Sequence, residues 1–217
     1  MADKNWNAQT IASVFSQRKA KPIHDLRYFA VLALLTERNG ELCFVLNKRA
    51  PRINQGGDIC FPGGQREKDE RLRETALRET EEELGVSRKD ICLLGKSDYL
   101  LTHARGYIQP YVGYVPYLRL RESLINCDEV SEVFTVPLSF FMDTPPEIHH
   151  LHWEVKDSNA FPYERIEGGK NYPFYRNRVS QPFYSYKNHT IWGLTAQIIQ
   201  NITKTLQAEM GPTNNQQ

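Results

Sequence analysis

Four carboxylates fall within five consecutive positions of this 217-residue chain, at Glu79, Glu81, Glu82 and Glu83, with Arg78 directly before them. Glu79, Glu82 and Glu83 stand at i, i+3 and i+4, so on a helix they share one face. Like charges at that spacing destabilise a helix by roughly 0.2–0.5 kcal/mol per pair. They also fall near the C-terminal end of the expected helix, where the macrodipole already disfavours negative charge. A helix built for stability alone would not choose this arrangement. A hard divalent cation resolves it, because Mg²⁺ and Mn²⁺ prefer carboxylate oxygens and neutralise the cluster. The competing reading is a solvated acidic face.

Other groups invite weaker readings. Glu147, His149, His150 and His152 suggest zinc, yet no HExxH spacing is present, and on a strand His149 would face away from His150 and His152. A His-rich edge strand or loop accounts for them. Gly168-Gly169-Lys170 lacks the earlier glycine and the following Ser or Thr of a phosphate-binding loop. Tyr172, Phe174, Tyr175, Phe183, Tyr184 and Tyr186 could stack on adenine or line a ligand channel, or could simply pack against strands. Cys43, Cys60, Cys92 and Cys127 form no CxxC pair, which argues against a zinc ribbon or a thioredoxin-type site. The first three sit among apolar neighbours and read as small buried hydrophobes.

The acidic cluster needs a helix to carry it, and residues 71–84 supply one. Leu72, Ala76, Leu77 and Leu84 form its apolar face and Gly85 follows as a cap. Residues 51–64 are rich in Gly and Pro and read as loop. Before them, dense apolar runs at 27–34 and 41–47 flank Glu37-Arg38-Asn39-Gly40, the signature of a β-hairpin. Residues 91–94, 98–102, 107–117 and 132–136 read as strands. Ile191, Leu194, Ile198, Ile202 and Leu206 mark an amphipathic helix near 189–206, with Asn188 or Thr190 as its N-cap. Residues 1–26 form a polar arm with a short helix around Ile11, Val14 and Phe15, and 27–217 form the domain, with an inserted loop near 143–181. Strands clustered in hairpins and mixed with helices indicate an α/β (α+β) fold and not a doubly wound parallel sheet.

The order Gly64, five residues, Glu70, seven residues, Arg78-Glu79, then Glu82-Glu83 and Gly85-Val86 resembles the Nudix box. Every charged and glycine position of that pattern is filled; Thr80 stands where the pattern has an apolar residue facing the core. The resemblance implies the Nudix fold, a mixed β-sheet sandwiched between α-helices, and a Mg²⁺- or Mn²⁺-dependent pyrophosphohydrolase. It implies Glu82 and Glu83 as principal metal ligands, Glu79 as a further ligand or water-orienting carboxylate, and Arg78 as the partner that holds Glu79. It implies that Glu70 closes the loop–helix–loop and assists at the metal. Glu129 is the candidate metal-binding or water-activating carboxylate outside the box, with Asp128 and Glu132 as competitors.

Upstream, Leu46-Asn47-Lys48-Arg49-Ala50, Gly57 and Phe61-Pro62-Gly63-Gly64 resemble the segment of the coenzyme A diphosphatase branch of that family. Asn47 replaces its usual Thr, the spacer after Arg49 is one residue short, and the internal Arg is absent or shifted to Arg52. Gly106 to Gly113, Asp128-Glu129-Val130 with Val136-Pro137-Leu138, and Ile191 to Ala196 are similar to later segments of the branch. The implied reaction is hydrolysis of coenzyme A or acyl-coenzyme A to 3′,5′-ADP and (acyl-)4′-phosphopantetheine. Arg49 and Arg52 would bind the 3′-phosphate, and Gly63 and Gly64 would lie against substrate. ADP-ribose or a dinucleotide is the alternative substrate. A catalytically silent nucleotide-binding module is the alternative of another class, which the intact Glu79, Glu82 and Glu83 set argues against.

The composition is that of an ordinary soluble globular chain, with 40% hydrophobic residues, 24% charged residues and net charge +1. A charge so near zero argues against a nucleic-acid partner, and the one dense basic run, Arg18 to Lys21, reads as a solvated helix end. No stretch approaches a membrane span and the N-terminus lacks a signal-peptide core, so a cytoplasmic protein without a membrane partner is expected. The oligomeric state, a homodimer included, is left open.

Overall fold

Residues 28–38 show no apolar–polar alternation because both faces of their strand are covered. In the computed structural model, which describes residues 6–102, 106–156, 160–174 and 177–210, β1 spans Tyr28–Arg38. Its Ala30, Leu32 and Leu34 pack with Ala76 and Leu84 of α2 (Leu72–Leu84), and its Ala33 and Leu35 pack with Ala196, Ile198, Ile199 and Ile202 of α5 (Gly193–Met210). Burying a Leu-sized side chain completely is worth about 1.5–3 kcal/mol, so these two clusters fix α2 and α5 to opposite faces. β2 (Glu41–Arg49) returns antiparallel to β1 through Asn39 and Gly40, both at positive φ as a two-residue hairpin turn requires.

The main sheet runs β3 (Ile59–Cys60), β2, β1, β7 (Gly106–Tyr114), β5 (Cys92–Lys96); β4 (Gly63–Gln65) also pairs with β1, β6 (Leu100–Thr102) with β7, and β8 (Val130–Pro137) with β2. The β1–β7 pairing is parallel and the rest antiparallel. The architecture is thus a mixed sheet between α2 on one face and α5 with α4 (Leu138–Asp143) on the other. β9 (Glu147–Trp153), β10 (Asn177–Tyr186) and β11 (His189–Trp192) form a second, antiparallel sheet.

Several boundaries differ from expectation for identifiable reasons. The strand expected at 107–117 stops at Tyr114; Pro116 precedes a short helix, α3 (Tyr117–Glu122), and cannot donate to a ladder. The loop at 51–64 contains the short strands β3 and β4. The stretch expected as an inserted loop near 143–181 holds β9, two 3-10 turns at Tyr163–Arg165 and Gly169–Asn171, and the start of β10. β9 is exposed along its whole length, so burial imposes no alternation on its residues. The last helix begins at Gly193, neither at Asn188 nor at Thr190, because residues 189–192 form β11. Gly193 has φ 64°, and this strand-to-helix corner accounts for a Trp-Gly pair at that place. Helix α1 (Ala8–Gln17) is N-capped by Asn7, whose Oδ1 accepts from Thr10 N at 2.9 Å, and is exposed throughout. Among the four cysteines Cys43 is buried, but Cys92 is exposed and Cys60 is half-buried. Tyr184 belongs to the core, while Tyr175 lies outside the described residues. Among the described residues, no helix is long and apolar enough to cross a membrane.

Candidate active site

Helix α2 presents the acidic cluster because its ends and its inner face are fixed independently. Glu74 accepts from Arg71 N at 3.1 Å in the first turn, and Gly85 closes the last turn in the left-handed conformation. Thr80, in the box position that is usually apolar, is fully buried; its hydroxyl donates to Ala76 O at 2.7 Å, so the helix itself satisfies the polar atom. Glu81 is not part of the cluster's working face: it pairs with Arg88 Nε at 2.5 Å.

Arg78 organises what remains. Its five N–H groups are matched by five contacts: Nε to Glu70 Oε1 (3.0 Å), Nη2 to Glu70 Oε2 (3.1 Å) and Gln65 O (3.2 Å), and Nη1 to Glu79 Oε1 and Glu82 Oε2 (both 2.8 Å). A planar fork with fixed donors suits this division of labour. Glu70 also accepts from Thr75 Oγ1 at 2.8 Å and Glu67 N at 3.2 Å. These donors, Arg78 first, hold its carboxyl down at about 2.

Glu83 has the opposite surroundings. It is 4% exposed, and its Oε2 accepts from Asn47 Nδ2 of β2 at 3.0 Å. Burial, then the charge of Glu79, pushes its carboxyl up to about 7 against the Asn47 hydrogen bond and the charge of Arg49, with Glu129 adding to the rise. Burial likewise pushes Glu79 up against the opposing pull of Arg78, with Glu82 and Glu129 contributing.

The charge of Glu129, 46 positions beyond Glu83, thus acts on Glu79 and Glu83, and the backbone shows how its loop is held near α2. Asn126 N donates to Glu83 O at 3.1 Å, Glu129 N to Asn126 O at 3.1 Å, and Ala50 N to Glu129 O at 2.8 Å, which ties this loop to α2 and to the end of β2. Its competitors are held differently. Glu132 pairs with His189 Nε2 at 3.1 Å and shares strand parity with Phe134, which packs on the α5 side, whereas Val133 packs on the α2 side. The N–H of Asp128 bonds Asn126 Oδ1 at 3.1 Å in an Asx turn.

Gly63 and Gly64 lie in β4 against β1. A Cβ on Gly64 would fall on the Glu79 carboxylate, and one on Gly63 would fall on Ala30 O and Val31 Cα. Close approach therefore accounts for both glycines. Gly64→Ala is expected to keep the fold but displace the Glu79 carboxylate, lowering turnover on the order of a hundredfold, as misplacement of a reacting group by about 1 Å does. Unchanged turnover in a folded Gly64→Ala protein would detach Glu79 from the chemistry.

The two arginines separate. Arg49 Nε donates to Asn54 O at 3.1 Å, and its charge acts on Glu83 and on the Cys60 thiol. Arg52 lies exposed in the turn that follows. The histidines of β9 are exposed at a sheet edge; His149 contacts Glu147 at 3.3 Å and His150 contacts Ser180 at 3.3 Å.

Hard oxygen donors at Glu79, Glu82, Glu83 and Glu129, two of them destabilised as anions by burial and by one another, fit a divalent cation in kind and in charge. Among the described residues no three Asp, Glu, His or Cys side chains already converge on a single ion position. Arg78 is the cation that Glu79 and Glu82 share in this arrangement.

A model of the NUDIX domain matches residues 26–174. Nudix hydrolase 3 of Caenorhabditis elegans is 37% identical over 112 residues, covering 50% of this chain and 47% of that protein. Peroxisomal coenzyme A diphosphatase NUDT7 of Mus musculus is 30% identical over 151 residues, covering 66% of this chain and 62% of that protein. Nudix hydrolase NudL of Photorhabdus laumondii is 29% identical over 183 residues, covering 83% of this chain and 86% of that protein. The chain thus spans about half of the nematode relative and less than two thirds of the mouse one.

Proposed function

Because the chain belongs to the NUDIX family, we propose that it hydrolyses the diphosphate linkage of coenzyme A or an acyl-coenzyme A, giving 3′,5′-ADP and (acyl-)4′-phosphopantetheine. The observation that carries the hydrolase reading is the acidic face of α2, where Arg78 is shared by Glu79 and Glu82 and anchored by its other donors to Glu70 and Gln65 O, and where the charge of Glu129 acts on Glu79 and Glu83. In this reading Glu82, Glu83 and Glu79 hold Mg²⁺ or Mn²⁺. When bound, such an ion lowers the pKa of water and offsets charge on the diphosphate. Glu129, which lies on a separate loop and whose charge acts on Glu79 and Glu83, would receive the proton of the attacking water. Arg78 and Glu70 are positioning residues. Glu70 accepts one hydrogen bond at Oε1, from Arg78, and three at Oε2, from Arg78, Thr75 and Glu67, which supports positioning as its main part, with any contribution at the metal left to Oε1.

The substrate assignment is supported by the Leu46 to Gly64 segment and by the mouse relative, whose name states coenzyme A diphosphatase. Two observations support different parts for the arginines: Arg49 ends β2 and its charge acts on Glu83, which favours the diphosphate, and Arg52 is exposed in the turn that follows, which favours the 3′-phosphate. Arg52→Ala should therefore lose about ten- to a hundredfold in kcat/KM on coenzyme A, equivalent to roughly 1.5–3 kcal/mol for one charge-assisted contact. It should lose much less on dephospho-coenzyme A, whereas Arg49→Ala should lose on both. Steady-state kinetics with products identified by mass checks this. Hydrolysis of ADP-ribose at least as efficient as that of coenzyme A would overturn the substrate assignment and leave family membership untouched.

A further inference from the structure

We propose that Asn47, oriented by Cys60, is a positioning residue that aims the Glu83 carboxylate into the active site; this rests on the reading of Glu83 as a metal ligand. Asn47 is 1% exposed in the interior of the sheet, paired with Val133 on one side and Cys60 on the other. A primary amide so deeply buried must find partners for both of its ends. The two available neighbours differ in kind. Cys60 Sγ donates to Asn47 Oδ1 at 3.2 Å, and Asn47 Nδ2 donates to Glu83 Oε2 at 3.0 Å. The reversed amide would set a carbonyl oxygen against a carboxylate oxygen, which repels it, and would leave the amide N–H only the weak acceptor sulfur of Cys60. Glu83 and Cys60 therefore favour the same orientation of the amide, and Cys60 holds the end that faces away from Glu83.

The choice of a neutral donor matters for function. A lysine or arginine in this place would also hold Glu83, but it would neutralise the carboxylate and compete with a bound cation. An amide fixes one oxygen and leaves the charge of the carboxylate for the ion. Among the described residues Glu83 Oε1 has no hydrogen-bond partner, so the Asn47 contact defines the rotation of the group about that free oxygen. Partners of this kind behind a metal ligand typically change metal affinity ten- to a hundredfold when removed.

The test is titration of the metal-free, full-length protein with Mn²⁺, following the free-ion electron paramagnetic resonance signal, with thermal melting in parallel. Asn47→Leu, similar in volume but without polar atoms, should melt cooperatively and bind Mn²⁺ about ten- to a hundredfold more weakly. Should that variant fail to fold, the cysteine carries the test. Cys60→Ala should weaken Mn²⁺ binding about two- to tenfold, the range of a single hydrogen bond, and Cys60→Ser, which restores a donor, should recover it. A purely structural role would lower the melting temperature of these variants without this pattern in affinity. Wild-type affinity in Asn47→Leu, or equal affinity in the two cysteine variants and the wild type, overturns the inference and leaves the metal site standing. If the wild type itself binds no Mn²⁺, the reading of the site fails, and this inference fails with it.

Discussion

Glu82→Gln and Glu83→Gln are each expected to lower turnover on the best substrate by orders of magnitude, with no loss of stability in metal-free protein. Each substitution keeps the shape of the side chain and removes one charged oxygen ligand. Glu83→Gln also keeps an acceptor for Asn47 Nδ2, so the buried hydrogen bond survives. The stability arm has a definite sign with pH. In the folded chain the Glu83 carboxyl stands at about 7, above its ordinary 4.5. Between those values the folded state holds the proton and the unfolded state has released it, so metal-free wild type loses stability as pH rises from about 4.5 through about 7. Glu83→Gln cannot ionise and is spared that loss. Its metal-free melting temperature should exceed that of the wild type at about pH 8 and match it below about pH 4.5. Near wild-type hydrolysis by both variants would show that the cluster does not bind the catalytic ion.

Arg78→Lys is expected to be nearly as damaging, although it conserves charge. Arg78 is 13% exposed at its side chain, and its contacts run in three directions, to Glu70, to Glu79 and Glu82, and to Gln65 O. A lysine offers three donors from a single point and cannot span these acceptors. Glu70 would then lose the fork that holds it, and Glu79 and Glu82 would lose the donor they share. Turnover should fall on the order of a hundredfold, as displacement of a reacting group predicts. Breaking a buried or half-buried ion pair is also destabilising by roughly 3–5 kcal/mol at most, so the melting temperature should drop by several degrees. Kinetics and melting of the one variant check both arms. Wild-type rates in Arg78→Lys would reduce Arg78 to a simple surface charge.

The acidic helix, its cap at Gly85 and the first hairpin were legible because their signals are local. A spacing of i, i+3, i+4 determines which side chains share a face whatever the helix packs against, and Asn-Gly carries its turn in its own backbone preferences. The site could not be completed in that way. Asp128, Glu129 and Glu132 are equivalent by type and nearly so by position, and the proposal of Glu129 rests on the Asn126 to Glu83 backbone bond and on the strand parity that sends Glu132 to His189. Asn47 read only as a departure at one motif position, because a buried amide declares its purpose only when both of its partners are known.

What the sequence determined by itself is the chemistry at short range: a run of carboxylates costly to a helix, a guanidinium beside them, and glycines where close approach is needed. What only the tertiary structure decided is which of these groups meet. The parallel pairing of β1 with β7 and the second sheet of β9, β10 and β11 bring together segments far apart in the chain, and no local propensity specifies them. Which carboxylates are buried was settled there too. Glu81 turns to Arg88 at the surface, while Glu83, two residues on, faces the sheet and is desolvated. Helical spacing assigns each residue a direction, but burial and charge depend on what lies in that direction, and that is a property of long-range packing.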